Sequence, residues 1–342
     1  MLRPGNIKDE GRIVLNYGQA GCACDDLQIL IRKRIREMQP LMKHGREAIM
    51  QYTLKNEILE MTADTHGAEI LSVTRGGKEY IWNGAPEFWG RRTPILFPFV
   101  GQVRGGGYRH NNVRYPMGQH GFARDEEFEM GEKTEDSISF VLRDNERTRS
   151  VYPFSFALTV TYTLQGDTVI VEWNVRNTGD EILYFSIGAH PAFFCPVDGK
   201  GSWADYAIEI RKDGQPLSGM RIRPIQDGGN VGDVVKEIAL DRGRITPTQE
   251  LFSHDALILE GEQADEVSLI DPDGHAYVTV GFDTPLVGIW SPALKNAPFI
   301  CIEPWCGRTD SVHFSGELSQ REYGNQLNSG EQFHREYSMK FL

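Results

Sequence analysis

The 342-residue chain contains no C-x-x-C pair, and its 5 cysteines (Cys22, Cys24, Cys195, Cys301 and Cys306) are odd in number and irregularly spaced. That pattern lacks the usual spacing of a zinc knuckle and argues against a disulfide framework, fitting reduced thiols instead. Long apolar runs are missing as well: stretches such as PILFPFV fall far short of the roughly 20 residues a membrane-spanning helix needs. The N-terminus has no apolar signal core, so a cytoplasmic protein is expected. Basic residues are outnumbered, with 36 Lys+Arg against 48 Asp+Glu and a formal charge of -12. Such a balance repels phosphate backbones and anionic lipid, and no basic stripe with interleaved aromatics occurs, so neither nucleic acid nor membrane is an expected partner. Gly105-Gly106-Gly107 lacks the strand-to-helix setting of a phosphate-cradling loop and reads as a hairpin turn.

What the sequence has in plenty, from Tyr52 onward, is short runs rich in β-branched residues and closed by turn signals: EILEMTA, AEILSVTRGGKEYIW, SISFVL, FALTVTYTLQGDTVIVEWNVRNTGD and EVSLIDPDGHAYVTVGF. Gln165-Gly166-Asp167 and Asp271-Pro272-Asp273-Gly274 each join two such runs by a tight turn. So many strands without helical crossovers predict an all-β fold, one large antiparallel β-sandwich over residues 51–342. Residues 1–50 differ. LQILIRKRIREMQPLMKHGREAIM, at 27–50, has the spacing of a basic amphipathic helix and reads as a short N-terminal extension, explained most simply by a later start at Met42 or Met50.

Against this background three polar residues stand out. Glu303, in CIEPWCGRTD, is a carboxylate in mostly apolar company, and burying one without partners costs several kcal/mol, on the order of the penalties known for buried ions. His120, in GQHGFARDEEF, and His190, in SIGAHPAFFCP, lie between small or turn-forming neighbours that hold an imidazole in place. A held acid and a held base are what proton-transfer chemistry requires. Cys301 and Cys306 flank the carboxylate as small apolar fillers, without a base positioned to activate either. The aromatics Trp82, Phe88 and Trp89 read as sheet packing and cleft wall.

HGFARDEEF, GAHPAF and CIEPWCGRTD, in that order, resemble the aldose 1-epimerase (galactose mutarotase) family, with further support from WNGAPEFWGRRTPILFPFVG and HDALILEG. The resemblance spans about residues 52–340 and implies the supersandwich fold, a sugar as small-molecule partner and no cofactor or metal. It also implies interconversion of the α and β anomers of a hexose, with Glu303 as general base, His190 as general acid, His120 as a second histidine near the ring oxygen, and Asp255 as a carboxylate gripping sugar hydroxyls. Trp305 is placed to offer an apolar face to the sugar. Where many relatives carry an arginine, in FVGQVRGGGY, this chain has Gln102. Gln102 hydrogen-bonds but carries no charge. Arg104, on the same face of an extended strand, is a substitute, as are Arg92 and Arg124; Arg124 can equally pair with Asp125 and shape its loop. A negative Glu303 nearby is expected to raise the His190 pKa.

Two other functions stay open on this reading. A hexose-6-phosphate 1-epimerase needs several arginines at the cleft, for which Arg91, Arg92 and Arg104 are available. A non-catalytic carbohydrate-binding sandwich needs none of the proton chemistry. Association into a homodimer is compatible with the sequence.

Overall fold

Alternating apolar and polar residues build two large sheets. The computed structural model describes residues 50–226 and 228–342, so the helix expected at 27–50 and the N-terminal extension, apart from Met50, lie outside the described residues. A ten-stranded antiparallel sheet is centred on Phe156–Gln165, Thr168–Asn177 and Gln332–Phe341. The first two of these pair from Phe156↔Asn177 to Gln165↔Thr168, which leaves Gly166 and Asp167 as the two-residue turn expected there. The second expected turn, Asp271 to Gly274, joins Glu266–Ile270 to Ala276–Phe282.

The eight-stranded sheet carries the strand Phe299–Cys306 between Leu286–Trp290 and the two short strands Ile187–Ala189 and Ala192–Phe194. All eight residues of Phe299–Cys306 are buried, as befits a central strand covered on both faces. Its side chains alternate. Ile300, Ile302 and Cys306 enter the main core, together with Phe140, Val160 and Val171 of the other sheet. Phe299, Cys301 and Trp305 point the other way, into two smaller apolar clusters on the outer face. Period-two geometry therefore puts Glu303 on that outer face, between Cys301 and Trp305.

One break in this sheet creates the room for a site. Residues 187 and 188 pair with 306 and 305, while residues 192 to 194 pair with 301 to 299. The neighbouring chain thus leaves the ladder at His190-Pro191, opposite Glu303-Pro304. A proline has no N–H to give a ladder, which confines it to places where none is needed. Here two prolines, each following a candidate site residue, face the same gap. On the side that stays paired, Glu303 lies opposite Gly288.

Trp305 fits beside Glu303 because both flanking strands supply glycine. A Cβ on Gly188 would stand 2.6 Å from Trp305 Cδ1, and one on Gly288 would stand 2.7 Å from Cη2 and Cζ2. The apolar cluster that buries Trp305, with Leu96, Val100, Ile258 and Leu286, cannot yield to relieve such an overlap, since interiors are packed at crystal density. Gly288→Ala is therefore expected to destabilise the protein by about 1–3 kcal/mol and to lower Tm by about 2–4 °C per kcal/mol. Thermal unfolding followed by circular dichroism checks this, and a variant melting together with the wild type contradicts the packing described.

Candidate active site

Several chain segments converge on one cavity of about 250 Å³ on the outer face of the eight-stranded sheet. Glu303 projects into it from the strand Phe299–Cys306, and His190 from the break between Ile187–Ala189 and Ala192–Phe194. His190 Nε2 lies 3.2 Å from Glu303 Oε2, and both side chains are buried, Glu303 being 1% exposed. Trp89 stacks on the imidazole at 4.7 Å between ring centroids, and Trp290 meets it edge-on at 5.4 Å. Two tryptophans thus fix the ring's plane and keep water from it.

His120 enters from the loop that the sequence GQHGF dictates. Its backbone is left-handed, with φ of +66°, and Gly121 follows at +70°. A Cβ at Gly121 would come within 2.3 Å of the Phe97 carbonyl oxygen, so the loop can lie against Phe97 only with glycine there. His120 N–H donates to Gly101 O at 2.9 Å, and Gly101 N–H donates to His120 Nδ1 at 3.1 Å. Since Nδ1 accepts, the neutral ring carries its proton on Nε2 and offers a donor to the cavity. Of the non-glycine residues at positive φ among the described residues, His120 and Asp255 are the two that line the cavity.

Asp255, also left-handed at φ +69°, stands exposed at the rim just before the strand Leu257–Glu260. Gln102 also lines the wall, and its side-chain amide makes one long contact, 3.4 Å to Val103 O, so it is free to turn to a ligand. Thr309 braces this wall: its hydroxyl donates to Gly229 O at 2.6 Å and lies 3.0 Å from Gln102 O, and it accepts from Gln102 N–H. Trp305 lines the cavity too, although at 3% exposure it offers a ligand little more than an edge.

The four arginines separate. Arg124 lines the cavity from the turn Ala123–Asp125, donates to Gln119 O at 2.8 Å, and leaves its buried Nε without a partner. Its long contact with Asp125, 3.9 Å, does not remove it from the wall. Arg92 is spent elsewhere, its guanidinium on Leu71 O and its backbone N–H on Glu69. Arg104 donates from Nη1 to Phe314 O at 2.9 Å and faces a separate depression with Arg109 and Arg114. Placing Arg104 on Gln102's face assumed an extended strand, and Arg104–Gly106 is a 3-10 turn, so the alternation does not hold. Arg91 pairs with Asp125 at 2.7 Å. Sequence reasoning passed over Trp290, Gln119 and Thr309; the last two sit inside GQHGF and CGRTD, so their neighbours were the available signal.

The electrostatics run against the simplest expectation. Burial pushes Glu303 well above the usual carboxylate range, Asp255 adds to the rise, and the nearby Trp305 indole opposes it. His190 falls to about 3, first because burial disfavours the imidazolium and then because Arg124 repels it. Burial thus outweighs the help that an anionic Glu303 was expected to give. Burial favours an uncharged pair, carboxylic acid beside neutral imidazole, with one proton between them. His120 is lowered well below its ordinary value by burial, by His190 and by Arg124. Nitrogen-15 NMR of the histidine rings is expected to show His120 neutral, with its proton on Nε2, throughout about pH 5 to 8. A His120 titration near the ordinary histidine value contradicts this assignment.

Comparison with known proteins agrees with this architecture. The family model described as aldose 1-epimerase matches residues 50–340. Protein LacX of Lactococcus lactis subsp. lactis, in its chromosomal form, is 34% identical over 287 residues, covering 80% of this chain and 93% of the relative. A galactose mutarotase related enzyme from Lactobacillus acidophilus superposes with a TM-score of 0.79 at 35% identity, over 86% of this chain and 97% of that one. A galactose mutarotase-like protein from Lactobacillus casei gives 0.80 at 29% identity, over 86% and 100%. With a β-sandwich, the ordered motifs and matches of this extent in agreement, the chain belongs to the aldose 1-epimerase family.

Proposed function

We propose that the protein is a mutarotase, interconverting the α and β anomers of a free hexose by acid–base opening and closing of the ring. The observation that carries this reading is the buried His190–Glu303 pair, 3.2 Å apart at the base of a cavity of about 250 Å³. Drug-sized ligands occupy about 300–1,000 Å³, so a space below that range suits one monosaccharide better than a longer saccharide.

The reaction needs one net proton movement. A base takes the proton from the C1 hydroxyl, the C1–O1 electrons form a carbonyl, and the C1–O5 bond breaks with its electron pair on the ring oxygen, which takes a proton from the acid. The aldehyde turns about C1–C2 and the ring recloses by the same steps reversed. Glu303 as carboxylate and His190 as imidazolium start the opening; afterwards Glu303 is the acid and His190 the neutral base, poised for closure. The uncharged form favoured by burial therefore already has the proton arrangement that meets the open-chain sugar. Hydroxyls of a bound ring take the place of water around the pair, which lowers the cost of the charged form. His120 Nε2–H, aimed from the GQHGF loop, donates to a sugar oxygen, and Asp255 and Gln102, both on the wall, hold hydroxyls.

The charge of the wall favours a neutral sugar over a phosphorylated one. Of the arginines considered from the sequence, Arg124 alone lines the cavity, while Arg91, Arg92 and Arg104 are bound elsewhere. A phosphate is held best by several charge-assisted donors at once.

Polarimetry of fresh α-D-glucose or α-D-galactose tests the assignment. Glu303→Gln is expected to lower kcat by about 10²–10⁴-fold. A loss below tenfold overturns Glu303 as the base, and a wild type that leaves the spontaneous rate unchanged favours a binding protein. The pH profile of kcat/KM provides a separate check. Activity needs a single proton on the pair. On the acid side it falls when His190 gains a second proton, and that lies at about 3. On the alkaline side it falls when the pair loses its proton, above the ordinary glutamate range because burial raises Glu303. The expected plateau is broad, and an acid limb near the ordinary histidine value contradicts the shared-proton account.

A further inference from the structure

Beneath the acid–base pair, on the same face of the strand Phe299–Cys306, lies a thiol that the proposed reaction does not use. Residues 301 and 303 are two apart in an extended strand and project to one side, which brings Cys301 against the pair. His190, Cys301 and Glu303 each offer a ligand atom, and the three atoms lie within 4.8 Å of one another, all in buried residues. Glu303, 1% exposed, keeps both buried carboxylate oxygens without a hydrogen-bond partner, with His190 Nε2 3.2 Å from one of them. Unsatisfied buried polar atoms are rare, and an ion is one of the usual reasons for them.

The chemistry and spacing of the donors specify the ion. Tetrahedral zinc holds sulfur at about 2.3 Å and nitrogen or oxygen at about 2.0–2.2 Å, which sets its ligands about 3.3–3.8 Å apart. The nitrogen–oxygen separation here is 3.2 Å, already close to that spacing. One thiolate, one imidazole and one carboxylate form a borderline-soft set that prefers zinc-class cations to Mg²⁺ or Ca²⁺, which favour all-oxygen sites. Three protein ligands leave a fourth position, and here it opens to the cavity. A second cluster, Glu172, His334 and Glu336, lacks a thiol and lies on a more exposed strand face where His334 already pairs with Glu172 at 3.3 Å.

We infer that His190, Cys301 and Glu303 form a binding site for a thiophilic divalent cation of the zinc class, and that the bound ion switches the sugar site off by taking the groups that carry the proton. The second half rests on the acid–base reading of the pair; the first half does not. Occupancy ties up the imidazole nitrogen and the carboxylate, so no proton can shuttle between O1 and O5.

The test uses full-length protein freed of metal by a chelator and dialysed. Titration with Co²⁺ is expected to give a near-ultraviolet thiolate-to-metal band that saturates at one equivalent, is displaced by Zn²⁺ and is not produced by Mg²⁺. Mutarotation is expected to fall in step with Zn²⁺ occupancy. Cys301→Ala is expected to lose the band and to bind Zn²⁺ at least about tenfold more weakly, while retaining the anomerisation rate of the metal-free wild type. Absence of a band in the wild type, its persistence in Cys301→Ala, or unchanged Zn²⁺ affinity in that variant overturns the site. Binding as described with undiminished mutarotation overturns the inhibition alone. A metal-free wild type that binds Zn²⁺ as described yet does not anomerise sugar supports the site and removes the functional reading instead.

Discussion

A carboxyl group and an imidazole 3.2 Å apart beneath the protein surface cannot each choose a protonation state alone, and the rest of the molecule is arranged around that constraint. In water the two groups would separate charge readily. Buried between tryptophans, with Arg124 on the wall, they are driven toward a neutral pair that holds one proton. Such a pair is well suited to passing a proton to and fro. Ring opening and ring closure make the same demand in opposite directions, so a symmetric acid–base couple serves both without a separate resetting step.

The fold produces this pair by interrupting a sheet that is otherwise continuous. Alternation along Phe299–Cys306 sends Ile300 and Ile302 into the main core and leaves Glu303 on the outer face. Opposite it the neighbouring chain breaks at His190-Pro191, and the proline after each functional residue removes an N–H that would otherwise lack a partner. Gly188 and Gly288 make space for Trp305, and Gly121 lets the His120 loop lie against Phe97. These are costly local choices. Two site residues, His120 and Asp255, sit at positive φ, a strain of about 1–3 kcal/mol each that the surrounding contacts must hold in place.

Much of this was legible before any coordinates. The hairpins at Gly166-Asp167 and Asp271–Gly274 follow from turn chemistry, and the alternating runs give the antiparallel sheets. Glu303, His190, His120, Asp255 and Gln102 do converge on one cavity, because each lies in a short motif whose glycines and prolines already limit its backbone. The arginines were not legible. Whether Arg92, Arg104 or Arg124 reaches the site depends on which carbonyl or carboxylate captures each guanidinium, and those partners are distant in sequence: Leu71 for Arg92 and Phe314 for Arg104. Period-two reasoning failed at Arg104 because three residues coil into a 3-10 turn. The direction of the His190 shift was hidden as well, since the sequence names the nearby anion but not the depth of burial that outweighs it.

Membership of the aldose 1-epimerase family sets the chemistry within reach, and in the reading proposed above the cavity of about 250 Å³ takes a small sugar with few charges. Gln102 brings no charge to the wall, but Arg124 lines the same cavity, so one guanidinium still faces it. The most direct measurement is carbon-13 exchange spectroscopy at C1 of equilibrated glucose and galactose, which reads anomer exchange without any starting imbalance. The account predicts α–β exchange that rises in proportion to added protein, with no cofactor present, for at least one of the two sugars. Exchange no faster than in buffer for both contradicts it.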